Sequence, residues 1–159
     1  MTEVTRWQDY ESESCSIARA LASLGDRWTI LILRDLFNGV HRFDDLLDHL
    51  GVSRAVLSKR LAAMVDDGIV ERRPYRLEGS RPRSDYHLTP AGRELQPVLI
   101  SLLTWGDKHR ATGEGPPTVL EHQGCGGRVG LRLTCSEGHD VQRWEVRNQP
   151  QAAARRRAV

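Results

Sequence analysis

A mainly α-helical fold with a small β component is predicted from three observations. Between residues 16 and 66, apolar residues recur at helical spacing in four segments, each closed by a glycine. Two short runs of strand character, 69–75 and 84–88, follow with a turn-rich loop between them. Helical signals then return at Thr89 and Pro90, a cap and a first-turn proline.

The elements follow in order. Residues 16–24 read as a helix that places Ile17, Leu21 and Leu24 on one side as core and ends at Gly25. Residues 28–37 are a second, more fully buried helix; Trp28, Leu31, Ile32 and Leu36 keep the spacing, and Asn38-Gly39 stops it. In residues 42–50, Phe43, Leu46, Leu47 and Leu50 fall at i, i+3, i+4 and i+7 before Gly51 breaks the helix. Ser53 can cap the next, whose Leu57, Leu61, Met64 and Val65 form one stripe, with Gly68 as the left-handed residue beyond its end. Helix, short glycine turn and helix make a helix-turn-helix pattern, and the hairpin after it reads as a wing.

The far side of the fourth helix carries the chemistry. Ala55, Lys59 and Ala62 lie at its centre, with Ala63 beside them, and Arg54, Ser58 and Arg60 flank it. Small side chains allow close approach to base edges, and cations neutralise phosphates. Arg76, Arg81 and Arg83 in or beside the wing loop are expected at backbone phosphate or the minor groove. Arg42 and Ser53 complete the expected DNA-contacting set. The net charge of +2 hides a division: residues 1–52 carry −4, residues 53–93 carry +4, residues 94–147 carry −1 and residues 148–159 carry +3. Positive charge concentrated on the helix and wing is the electrostatic pattern of a nucleic-acid surface. An ordinary amphipathic helix with a solvated basic face is the plainer alternative.

After Pro97, which kinks or restarts the helix, Val98, Leu99, Ile100, Leu102, Leu103 and Trp105 surround most of its circumference. One subunit can cover one side of such a helix, so a two-fold partner is expected on the other. Burial wholly within one subunit is the alternative. The chain divides by expectation into an N-terminal arm, 1–14, with Trp7 and Tyr10 as apolar hooks; a winged domain with a dimerisation helix, 15–112; a ribbon-like hairpin, 113–147; and a basic tail, 148–159, expected to be disordered for want of core residues. In the third part, His122, Cys125, Cys135 and His139 have a spacing similar to a small zinc ribbon, with strands expected at 128–133 and 141–146. A zinc site and a metal-free remnant of one both fit; the remnant is preferred, so no cofactor is required. Three cysteines, no apolar run long enough for a membrane span and no visible signal peptide lead to a cytoplasmic expectation. No nucleophile–base spacing, phosphate-binding glycine loop or carboxylate pair supports an enzyme.

The segments 15–21, 24–34, 42–46, 57–61, 67–72, 85–92 and Trp105-Gly106 match, in order, motifs of the HxlR-type winged helix-turn-helix regulators. The chain resembles that family over residues 15–106. Two departures stand out: Ser16 follows Cys15 where proline is frequent, and Asp26-Arg27-Trp28 replaces a glycine–lysine–tryptophan variant. The resemblance implies a bacterial homodimer on a two-fold related operator of double-stranded DNA, acting on a nearby gene, with repression the preferred sense and a small-molecule effector allowed. It also implies that Cys15 is a redox or electrophile sensor in some members; here a helix N-terminus favours thiolate, whereas Glu11 and Glu13 oppose it. A buried structural cysteine is the other reading. Related regulators carry a second Cys-x2-Cys pair where this chain has Gly138 and only His139 could substitute. A winged-helix protein–protein module and a zinc-dependent regulator remain as alternatives to the DNA reader.

Overall fold

The computed structural model describes residues 6–75 and 83–157. Six α-helices and one two-stranded sheet are formed among them: α1 (Ser16–Leu24), α2 (Arg27–Phe37), α3 (Phe43–Leu50), α4 (Arg54–Asp66), β1 (Val70–Tyr75), β2 (Arg83–Leu88), α5 (Pro90–Arg93) and α6 (Gln96–His109). Mainly helical with a small antiparallel sheet, this is the predicted fold class. No described helix is long and apolar enough to cross a membrane. The described residues form two compact units, Trp7–Gln96 with 154–157, and Pro97–Ala153 with Arg6. By this division α6 from Pro97 onward counts with the C-terminal unit.

Local chemistry sets the helix ends in the first unit. Asp26 caps α2 by accepting from the Trp28 N–H at 2.9 Å. Ser53 caps α4 by accepting from Val56 N–H at 3.3 Å, and Thr89 caps α5 from Gly92 N–H at 3.1 Å. Gly51 turns the chain between α3 and α4 with φ +63°, a left-handed conformation that side chains resist. At Gly92 the constraint is contact: a Cβ there would meet the Ile69 carbonyl oxygen at 2.1 Å. The core joins Ile32, Leu33 and Leu36 of α2, Leu46 of α3, Leu57, Leu61 and Met64 of α4, and Ile69, Val70 and Leu88 at the base of the sheet. Asp35 is fully buried among them; its carboxylate accepts from Arg34 Nε at 2.8 Å and pairs with His49 Nδ1 at 2.9 Å, tying α2 to α3. That solves the cost of burying a carboxylate.

Strands β1 and β2 pair antiparallel from Val70 with Leu88 to Tyr75 with Arg83. The segment before α3 adds to the other edge of β2: Tyr86 N–H donates to the His41 carbonyl at 2.8 Å, and Arg42 bridges to Asp85.

Two expectations are corrected. Helix α1 forms where predicted but has no fully buried residue; Ile17 is 70% and Leu21 56% exposed, and only Leu24 of its apolar side is half-buried. No strands form at 128–133 or 141–146. The backbone there is paired only at two isolated bridges, Glu121 with Arg128 and Thr134 with Asp140, followed by a short 3-10 turn at Arg143–Glu145. Residues 121–140 are exposed throughout, so no apolar face rewards a longer ladder. At 155–157 the tail meets the N-terminal arm: Glu11 N–H donates to the Arg155 carbonyl at 2.9 Å, Arg157 N–H donates to the Asp9 carbonyl at 2.8 Å, and Arg156 lies over the Tyr10 ring at 5.6 Å.

Candidate nucleic-acid interface

The seating of α4 defines the interface. Leu57, Leu61 and Met64 are at most 1% exposed and fix one side of the helix against the core. The opposite side leaves Ala55, Ser58, Lys59, Ala62 and Ala63 exposed. Lys59 therefore stands on a helix face whose other exposed members are small.

The flanking cations fall into two sets. Arg60, expected at phosphate, turns toward α2 and pairs with the α2 cap Asp26 at 2.8 Å. Its guanidinium thereby locks α4 to α2 and does not stand on the outward face. Arg54 lies on the other flank, paired with Asp44 at 3.0 Å and placed over the Phe43 ring at 4.9 Å. Arg83 at the start of β2 reaches the same Asp44 at 3.7 Å, and Arg42 lies over the Tyr75 ring at 5.5 Å. Arg76 and Arg81 lie outside the described residues.

A groove of about 520 Å³ runs between α4 and the wing, lined by Arg54, Ser58, Ala62, Arg72, Ser84 and Tyr86 among others. Arg72 was missing from the expected contacts. Its Nε donates to Ser84 Oγ at 2.7 Å, which holds it on the α4 side of the sheet. The strand alternation carried the signal, since Arg72 shares a face with the buried Val70, whereas Arg73 is drawn by Glu71 to the other. At the wing base, His87 Nε2 meets Asp85 at 2.9 Å, and this hydrogen bond holds the Asp85 carboxyl below the usual carboxylate range.

The remaining predicted residues belong to other elements. Cys15 is the N-cap residue of α1 and is exposed. The backbone N–H groups of Ala18 and then Ile17 hold its thiol below the usual cysteine range, with the Arg19 charge adding to the effect. In the C-terminal unit, His122 Nδ1 and Cys125 Sγ are 3.2 Å apart, and Cys135 Sγ and His139 Nδ1 3.6 Å apart. Each pair offers two donors where structural zinc takes four. Among the described residues no three His, Cys, Asp or Glu side chains gather to hold a metal ion. As arranged, the four do not fit one zinc ion.

Two helices joined by a glycine turn, the second with a small basic outer face and a hairpin beside it, define a winged helix-turn-helix protein. Residues 23–114 match the HxlR-like helix-turn-helix family, and the chain belongs to that family. It is 41% identical over 139 residues to Rv3095 of Mycobacterium tuberculosis, an uncharacterized HTH-type transcriptional regulator, covering 87% of each chain. Among solved structures it is similar to PA1607, a candidate transcription factor, with a TM-score of 0.78, 29% identity and coverage of 88% of this chain and 97% of that one. It is also similar to the redox regulator HypR in its oxidized form, with a TM-score of 0.54, 26% identity and coverage of 60% and 98%. The protein is thus a DNA-binding transcription regulator with a helix-turn-helix domain.

Because Arg60 serves the fold, Arg60→Ala is expected to lower unfolding stability by on the order of 1 kcal/mol, through the partly exposed pair and the lost packing of its stem. The salt dependence of DNA affinity should stay as in the wild type. Urea unfolding and binding titrations on one preparation check both.

Proposed function

We propose that the protein is a homodimeric, sequence-specific repressor that reads a two-fold related operator through α4. The observation that carries this is the division of α4 into a locked side, Leu57, Leu61 and Met64, and an exposed side of Ala55, Ser58, Lys59 and Ala62, of which Ser58 and Ala62 share a groove with Arg72 of the wing. A two-fold pair would set two such helices about 34 Å apart, one turn of DNA. The activity is binding in the cytoplasm, without catalysis and without a required metal.

Apolar surface supports the dimer. Val98, Leu102 and Trp105 of α6 are 43%, 49% and 53% exposed, more than a lone soluble subunit ordinarily leaves on one helix. Leu102→Asp is expected to shift the protein from dimer to monomer in light scattering and to weaken operator binding at low protein concentration. DNA reading is tested on a duplex from upstream of the protein's own gene. Affinity should fall on the order of a thousandfold between about 50 and 200 mM salt. Lys59→Glu should abolish the shift while leaving the thermal midpoint near wild type; retained binding would oppose the reading.

Control by oxidation of Cys15 is the second part of the proposal. Its exposed, thiolate-favouring position at the start of α1 supports it, as does similarity to a redox regulator. Diamide is expected to change operator affinity in the wild type but not in Cys15→Ser. Equal titrations for the two proteins would remove the sensor role. An organic effector is compatible with the same dimer but has no residue to recommend it.

A further inference from the structure

Three arginines converge near the base of the wing. Arg42, Arg54 and Arg83 line one hollow of about 340 Å³ with Asp44, Tyr75 and Ser84. They come from three elements: the residue before α3, the first residue of α4 and the first residue of β2. The Phe43 ring lies under Arg54 at 4.9 Å and the Tyr75 ring under Arg42 at 5.5 Å, so an aromatic face helps to place each of these guanidinium groups. Asp44 and Asp45 also line the hollow, and the carboxylate paired with the arginines is that of Asp44. Its Oδ1 accepts from Arg54 Nη2 at 3.0 Å, and its Oδ2 lies 3.7 Å from Arg83 Nη1. All three side chains are more than half exposed, so water and salt reach the cluster.

We propose that this hollow seats one phosphate of the DNA backbone, and that Asp44 is its internal occupant, displaced when DNA binds. The inference rests on the DNA-reading assignment of α4. A phosphodiester presents two anionic oxygens, as a carboxylate does, and arginine forks match either. Without DNA, Asp44 keeps Arg54 and Arg83 in position. On binding, its pairs with them are exchanged for pairs with phosphate, and its own charge is left beside the backbone. The gain from this contact is therefore reduced on every sequence alike, because phosphate contacts carry no sequence information. Asp44 lowers background binding and leaves a larger share of the discrimination to the exposed face of α4.

The test compares wild type, Asp44→Asn and Asp48→Asn by fluorescence anisotropy, on a duplex from the protein's own upstream region and on one of unrelated sequence. Asp48 is exposed on the same helix, and its substitution makes the same change in net charge. Asp44→Asn is expected to bind both duplexes about fivefold tighter, the scale of one unit charge removed near another in water. Its logarithmic salt slope should steepen by about one, since no carboxylate reclaims a counterion. Asp48→Asn should stay close to wild type. Asp44 also sits in the first turn of α3, where a carboxylate favours the helix, so Asp44→Ser with thermal unfolding provides a second variant. Equal affinity and slope for wild type and both Asp44 variants would overturn the proposal, and so would an equal gain from Asp48→Asn. A wild type that binds neither duplex would instead overturn the DNA-reading assignment beneath it.

Discussion

The outward surface depends on the burial of Leu57, Leu61 and Met64. A helix exposes a defined face only if its opposite face has one place to go. These three side chains fill that place against α2 and the sheet base, and the Arg60–Asp26 pair closes the same seam from its rim. Rotation of α4 by one residue would move every outward group by about 100°. The positions of Lys59 and Ala62 therefore follow from apolar packing on the side that DNA would never touch.

Electrostatics then refines what packing sets. The positive local charge of helix and wing is not spread as free cations. Arg60 serves the α2 cap, Arg54 and Arg83 share Asp44, and Arg72 is held by Ser84. Each holds a preset orientation before any ligand arrives, which limits the freedom lost on binding. The buried Asp35, held by Arg34 and His49, plays the matching part inside by fixing α3 against α2.

Much of this was legible in the residue order, for local reasons. Ser53, Thr89, Gly51 and Gly68 act through atoms within a few residues, so helix ends and turns followed from them directly. The α4 stripe was equally plain, because four apolar residues at helical spacing leave one solution. What escaped depended on distant partners. Ile17 and Leu21 share a helix side, but spacing cannot say that both stay exposed. Arg60 could have joined the outward set until Asp26, 34 positions earlier, claimed it. The strands expected after residue 127 had suitable residues and no surface to pack on, and Asp44 resembled any first-turn carboxylate until two arginines converged on it.

The pairing of residues 9–11 with 155–157 has a topological consequence. The chain leaves its first unit at Gln96, builds a second from Pro97 to Ala153, and returns to complete the first. Two segments far apart in sequence, 9–11 and 155–157, therefore meet within one unit. A cut at Gln96 would not free a finished winged domain. It would separate residues 9–11 from their backbone partners at 155–157, which lie on the far side of the second unit in sequence.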